Sequence, residues 1–354
     1  MLRKIYVVYL GLSVFLYAQN ISAQIGGNSS FNFLRMPSNA PLIAVGGMNV
    51  SVRSIHMIGQ NPALINKEMN KNLLISNQQY YAGINTTALT YVHNFNKIGP
   101  LALNLYYFTS GKIKQTDATG NETGSFSANQ YYISIGKSHT INYYSLGLNL
   151  KIAGSNVAGY NSFASLADIG GVFKHPTKDF TVGLVLQNIG FTFNNYTSVE
   201  QSLPFDVQLG TSYKLEHMPF RFSILAHHLH TFDIVYLDPN KKQPLDANGE
   251  PIVEKKSTGD KILRHFNLGG EFFLGKFISL KVGYNHLVRR EMRTEVRSGM
   301  AGFSFGVLVN VKSFEFSYSR DWQHVAGGFN CLSLKVNFSE LLSKKTNLPF
   351  RSTN

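Results

Sequence analysis

A single cysteine, Cys331, leaves nothing for an intrachain disulfide and rules out a cysteine-rich metal site. Charge is scarce: Asp, Glu, Lys and Arg make up 15% of the 354 residues, against roughly 25% in a typical soluble domain. Beyond residue 23 no apolar run approaches the about 20 residues that a membrane helix needs. With a mean hydropathy of −0.08, a bundle of membrane helices is excluded. There is one Trp, yet 18 Tyr and 26 Phe bring the aromatic share to 13%, alongside 31 Gly. What remains is a large β protein, aromatic, glycine-rich and poor in charge. Its formal net charge of +13 draws it towards acidic surfaces such as lipid phosphates or acidic glycans. With no recognition helix or RNA-binding signature, nucleic acid is not an expected partner.

The first residues carry an export pattern. Arg3 and Lys4 precede an apolar core from Ile5 to Ala18, broken only by Gly11 and Ser13, and Ile21-Ser22-Ala23 supplies small residues before Gln24. This predicts a secretory signal peptide over 1–23, too short in its apolar core to span a bilayer. No Cys follows it, so lipid attachment there is excluded.

The rest of the chain alternates with period two, which places successive side chains on opposite faces of a strand. Leu146, Leu148, Leu150 and Ile152 alternate with Ser145, Gly147, Asn149 and Lys151; Phe314, Phe316 and Tyr318 alternate with Ser313, Glu315 and Ser317. One face is large and apolar, the other small or polar. A soluble sandwich and a transmembrane barrel both alternate in this way. Loop lengths separate them. About fourteen strands are predicted, at 73–79, 84–93, 99–110, 126–138, 143–154, 162–174, 179–189, 204–215, 220–230, 264–274, 278–286, 300–309, 312–319 and 329–338. Every second connection is short, including a reversal at Asn310-Val311. The others are mostly long: Gly111–Ser125, Ser155–Asn161, Gly190–Leu203, Thr231–Leu263, Leu287–Gly299 and Arg320–Gly328, with Tyr80–Gly83 the exception. That asymmetry and the even count are those of an outer-membrane barrel. The fold class expected is therefore all-β, a transmembrane antiparallel barrel over 73–338. Residues 24–72 form a plug in or across the periplasmic mouth, and 339–354 a periplasmic tail. In the pairs Tyr80-Tyr81, Tyr106-Tyr107, Tyr131-Tyr132 and Tyr143-Tyr144, one member faces lipid at the interfacial belt.

Candidate chemistry is thin. Gly302-Phe303-Ser304-Phe305-Gly306 spells a nucleophile elbow, but that device needs a sharp strand-to-helix turn, and here a strand continues. Ser134 and Lys137 have acyl-enzyme spacing, which works on a helix and not on a strand. His227, His228 and His230 lack an evident third ligand, with only His228 and His230 on one strand face. No catalytic, metal or cofactor residue is assigned, and the chain is not expected to be an enzyme. Asp168, Asp206, Lys151, Lys281, Lys335 and Glu315 fall on the polar face. There they either line a conduction path or pair and fill the interior, as in a scaffold. In the outer loops, Lys241, Lys242, Lys255 and Lys256 belong to a long, nearly charge-balanced stretch. Arg289, Arg290, Arg293 and Arg297 supply guanidinium groups suited to phosphate or carboxylate partners. These eight are the candidate partner-binding residues, with solvated loops over lipopolysaccharide the plainer reading.

The mature start completes the pattern. Gln24-Ile25-Gly26-Gly27, Phe33-Leu34, Pro37-Ser38, Ala44-Val45-Gly46-Gly47 and Asn61-Pro62-Ala63-Leu64 follow in order. This set resembles the PorQ family, outer-membrane components of the type IX secretion system. The element Asn61, Pro62, Ala63, Leu64 is shared with FadL-like barrels at large, including the sister PorV family. The family pattern tends towards Ala-Leu-Gly-Gly where this chain has Ala44-Val45-Gly46-Gly47. The resemblance implies a fourteen-stranded barrel in the outer membrane of a Gram-negative bacterium, without cofactor. It implies a role in anchoring a PorZ-like surface protein, in a complex with PorU and PorV that attaches cargo to lipopolysaccharide. The alternative it carries is a FadL-like transporter of hydrophobic small molecules.

Overall fold

The computed structural model describes residues 29–196, 202–236, 257–292, 299–324 and 327–343. The expected signal peptide, most of the expected tail, and Lys241, Lys242, Lys255, Lys256, Arg293 and Arg297 lie outside the described residues.

Among the described residues sixteen strands follow one another: β1 (Asn72–Gln79), β2 (Asn85–Phe95), β3 (Gly99–Thr109), β4 (Ile113–Thr116), β5 (Glu122–Phe126), β6 (Ala128–Ile141), β7 (Tyr144–Val157), β8 (Tyr160–Lys174), β9 (Phe180–Asn194), β10 (Asp206–Lys214), β11 (Phe220–Ala226), β12 (Phe266–Leu274), β13 (Ile278–Asn285), β14 (Phe303–Val311), β15 (Phe314–His324) and β16 (Gly327–Asn337). Fourteen of them, all but β4 and β5, form a closed antiparallel barrel in which β1 pairs with β16. Closure gives each of the fourteen strands a neighbour on both sides, so that backbone groups are satisfied laterally where the strands pair, a condition for crossing hydrocarbon. The remaining β4–β5 hairpin stands in the long connection between β3 and β6.

Burial runs opposite to that of a soluble sheet. On β7, Leu148, Leu150 and Ile152 are 46%, 58% and 63% exposed, while Asn149 and Lys151 between them are 2% and 6% exposed. Leu280, Phe316 and Leu332 are exposed in the same way, and Ser279, Ser317 and Ser333 are buried. The large apolar set is the outer wall, as lipid requires. Leu150→Arg, in the middle of β7, should therefore destabilise the refolded barrel by about 2–4 kcal/mol in lipid vesicles, read by denaturant unfolding.

Several expectations shift. The reversal expected at Asn310-Val311 falls at Lys312-Ser313, with Lys312 at φ 53°. The connection expected at Ser155–Asn161 shrinks to Ala158-Gly159, whose positive φ angles of 51° and 91° suit a primed hairpin turn. That expected at Arg320–Gly328 also contracts, because β15 runs on to His324 and β16 starts at Gly327. These rim segments are mostly polar on both faces, with too few apolar residues to show an alternating stripe. A short α-helix, α1 (Ala40–Ile43), precedes β1, and two more, α2 (Thr258–Leu263) and α3 (His286–Glu291), lie within the long connections.

Candidate functional site

The lumen is occupied by the chain itself. At the long-loop end, Ser29 bridges Ser202 and the Ser30 N–H donates to the Ser202 carbonyl at 3.0 Å. From there the segment runs to the short-turn end, where the Lys71 N–H meets the Val92 carbonyl at 2.8 Å. Residues 29–71 thus traverse the barrel rather than cover one mouth. Leu42, Ile43, Val45, Val50, Ala63 and Leu64 all have 0% exposure.

Helix α1 starts on Asn39, whose side chain accepts from the Leu42 N–H at 3.1 Å, with Pro41 in its first turn. It rests against β14, β15 and β16, and the Ala40 N–H donates to Ser333 Oγ at 2.9 Å. The Asn-Pro-Ala-Leu element repeats this logic. Asn61 Oδ1 accepts from the Ala63 N–H at 3.0 Å and Asn61 Nδ2 donates to the Val50 carbonyl at 2.9 Å. Asn61, Pro62, Ala63 and Leu64 are all buried, and the turn they form lies on β6, β7 and β8.

Glycines on the inner wall admit these contacts. A Cβ at Gly147 would lie 2.2 Å from the Ala63 nitrogen, at Gly170 2.0 Å from Asn61 Oδ1, at Gly183 2.1 Å from the Val50 carbonyl oxygen, and at Gly283 2.0 Å from the Gly46 nitrogen. Together with Gly210 and Gly306 they form a ring on six strands at the height of the inner segment. Ser304 belongs to it: its Oγ accepts from the Gly46 N–H at 3.1 Å and the residue is fully buried. The G-x-S-x-G spacing is thus a seat for the inner segment. Ser134 is buried inside and Lys137 exposed outside, on opposite faces.

The polar-face charges pair. Lys151 Nζ lies 2.8 Å from Asp168 Oδ2, at 6% and 0% side-chain exposure. Asp168 also accepts from Asn149 Nδ2 at 2.9 Å and from the Asn188 N–H at 2.9 Å, where β9 bulges and Asn188 adopts φ 58°. Lys281 Nζ meets Glu271 Oε2 at 2.6 Å. Glu315 joins His56 Nε2, at 2.5 Å, to Lys335. Above them the lumen is aromatic: Phe33 stacks on Tyr106 at 6.2 Å and on Tyr132 at 6.5 Å, beside Phe31 and Leu34. In two of the tyrosine pairs one ring points in and the other out, since Tyr107 and Tyr131 are 46% and 39% exposed.

The outer arginines within the described residues are engaged with their own chain. Arg290 Nε lies 2.5 Å from Asp260 Oδ1, and Arg264 Nε 2.9 Å from Asp260 Oδ2, which braces α2 against α3. Burial works to raise the Asp260 pKa, but the Arg264 and Arg290 guanidinium groups outweigh it and hold the carboxyl below its usual range. Arg289 Nη1 donates to the Gly299 carbonyl at 2.7 Å.

The strand expected over 220–230 ends at Ala226, so His228 and His230 do not share a strand face. His228 turns to φ 55°, and its Nδ1 lies 2.5 Å from His227 Nδ1. Among the described residues no group of three His, Cys, Asp or Glu could hold a metal ion. Burial, with mutual repulsion, pushes the His227 imidazole down to about 3; burial, with the Arg35 charge, does the same to His228. Both fold neutral, so their stabilisation is complete above the unfolded value of about 6.5 and lost as pH falls towards 3. The melting temperature in detergent should fall steadily between those pH values, and less so in His227→Gln.

No protein-family profile and no curated protein matches this sequence. Solved structures do. A TodX monoaromatic hydrocarbon channel carrying the deltaS2S3 mutation is 11% identical over 85% of this chain and 99% of its own, with a TM-score of 0.51. A Pseudomonas aeruginosa FadL homologue is 11% identical over 85% and 98% of the two chains, with a TM-score of 0.45. The chain has the fold of FadL-like outer-membrane barrels.

Proposed function

We propose that this chain is a non-enzymatic outer-membrane barrel that holds a surface protein in place, as a PorQ-like component of type IX secretion. The observation that carries this reading is the lumen, filled by residues 29–71 and cross-linked to the wall by buried ion pairs. A barrel plugged along its length is a rigid post rather than a pore. The outward apolar wall supports an outer-membrane location, with the long connections outside. The braced α2–α3 platform supports docking at that end, with lipopolysaccharide around it. The partner would be a PorZ-like protein, linked through it to PorU and PorV. Deleting the gene should release that surface protein into the medium and abolish cargo attachment; a surface protein that stayed cell-bound would refute the docking role.

A second reading is uptake of hydrophobic small molecules. It is supported by the fold shared with a hydrocarbon channel and by the aromatic cluster of Phe31, Phe33, Tyr106 and Tyr132 inside the barrel. It requires the inner segment to move. Unchanged uptake of labelled fatty acid in the deletion strain removes it.

A further inference from the structure

The barrel wall steps down sharply after β9, whose 15 residues are followed by the 9 of β10 and the 7 of β11. Pairing between β9 and β10 reaches only Gln187 and Asp206. Facing this notch from inside is a polar cluster that the fold itself does not satisfy. His227, Asp206, Gln208 and His228 are 0%, 2%, 3% and 6% exposed. The 2.5 Å contact between the two Nδ1 atoms uses one nitrogen of each ring. Neither Nε2 has a hydrogen-bond partner among the described residues, and neither have Arg35 Nε and Gln208 Oε1, the last of these an acceptor. Among the described residues Arg35 makes one hydrogen bond, from Nη2 to the Phe205 carbonyl at 3.3 Å.

Asp206 does not fill the gap. Its Oδ1 accepts from the His228 N–H at 2.7 Å and its Oδ2 from Gln208 Nε2 at 2.8 Å. His265 is also spent, with Nδ1 2.7 Å from the His227 carbonyl and Nε2 3.1 Å from the Phe232 carbonyl. A buried polar group without a partner is costly, and the three nitrogens together call for one group that serves them. A guanidinium offers only donors, and an imidazole becomes donor-only on taking a proton. The complement is a negatively charged group with several acceptor oxygens.

We propose that the notch binds an oxyanion, a phosphate or carboxylate group, between the Arg35 guanidinium and the Nε2 atoms of His227 and His228. The anion draws a proton onto the histidine pair, so binding strengthens as pH falls. The charged and titratable groups facing the pair are Arg35 from the inner segment, Asp206 from β10, and His230 and His265 from the flanking loops. Asp206 is the acidic one among them, and its two oxygens are already engaged. Burial and the Arg35 charge hold the pair neutral; an anion offsets both.

The test uses the full chain, labelled with ¹⁵N-histidine, in detergent micelles and in nanodiscs. Inorganic phosphate and acetate are titrated at pH 7.5 and 5.5 while the imidazole resonances are followed. The expected result is a saturable shift of two histidines, tightening by about tenfold per pH unit where one proton is taken up, and lost in Arg35→Gln but kept in His175→Gln. A response in micelles to a free anion assigns a solute. A response without added anion, only in nanodiscs whose lipids bear phosphate headgroups, assigns a lipid. The proposal is overturned by the absence of a shift in both settings, or by a shift in the wild-type chain that does not depend on pH. Neither of those outcomes needs a variant to fold.

Discussion

Replacing Gly147 and Gly283 by alanine together should unseat the inner segment while leaving the barrel closed. The two Cβ atoms would sit 2.2 Å and 2.0 Å from the backbone nitrogens of Ala63 and Gly46. No rotamer change relieves a clash with backbone, so the segment must shift. Overpacking of this kind costs about 1–3 kcal/mol per site, and the two sites lie on different strands, far apart around the barrel. The expected result is a loss of about 2–6 kcal/mol in denaturant unfolding, with residues 40–65 newly open to protease. Gly259→Ala, where nothing lies within 4 Å of the added carbon, should leave both readouts unchanged.

The second large effect concerns the ion pair at the β9 bulge. Asp168→Asn leaves Lys151 charged and almost fully buried, with Asn188 Oδ1 as its remaining neutral acceptor at 2.9 Å. Removing one partner of a buried pair destabilises by about 3–5 kcal/mol. The bulge should also loosen, because Asp168 holds the Asn188 N–H at φ 58°. The double variant Lys151→Met with Asp168→Asn removes both charges, keeps an acceptor for the Asn188 N–H and should recover much of the loss. Urea unfolding of all three proteins in the same micelle measures this. A single variant as stable as the parent would mean that water reaches Lys151 and that the lumen is wetter than its packing implies.

How much of this was legible in the sequence follows from what each feature depends on. Strand β13, expected at 278–286 and found at Ile278–Asn285, was legible because Ile278, Leu280, Val282 and Tyr284 must share one face whatever lies on the other. The same holds for the closed barrel as a whole, since loop asymmetry is a property of the linear chain. The rim of β7 and β8 was hidden because Ser155, Asn156, Asn161 and Ser162 are polar on both faces. The end of β11 was misjudged because Leu229 keeps the segment partly apolar past Ala226, although it falls off the face of Phe222 and Ile224 and the backbone turns at His228. The glycine ring was illegible for a different reason. Gly147, Gly170, Gly183 and Gly283 come to one height only through the register of seven strands, which single-strand patterns do not contain. Glu271 was missed in the same way, its partner Lys281 lying on the next strand. The basic loop residues Arg289 and Arg290 carried a signal of charge alone. The ion pair of Arg290 with Asp260 and the hydrogen bond of Arg289 to the Gly299 carbonyl depend on where α2 and α3 are placed in space.

Conductance across a planar lipid bilayer tests most directly whether residues 29–71 stop the lumen. Insertion of the purified chain should leave the membrane current at its baseline at every voltage the bilayer withstands. Stable stepwise currents of the size that wide water-filled pores pass would contradict a lumen sealed by its own polypeptide.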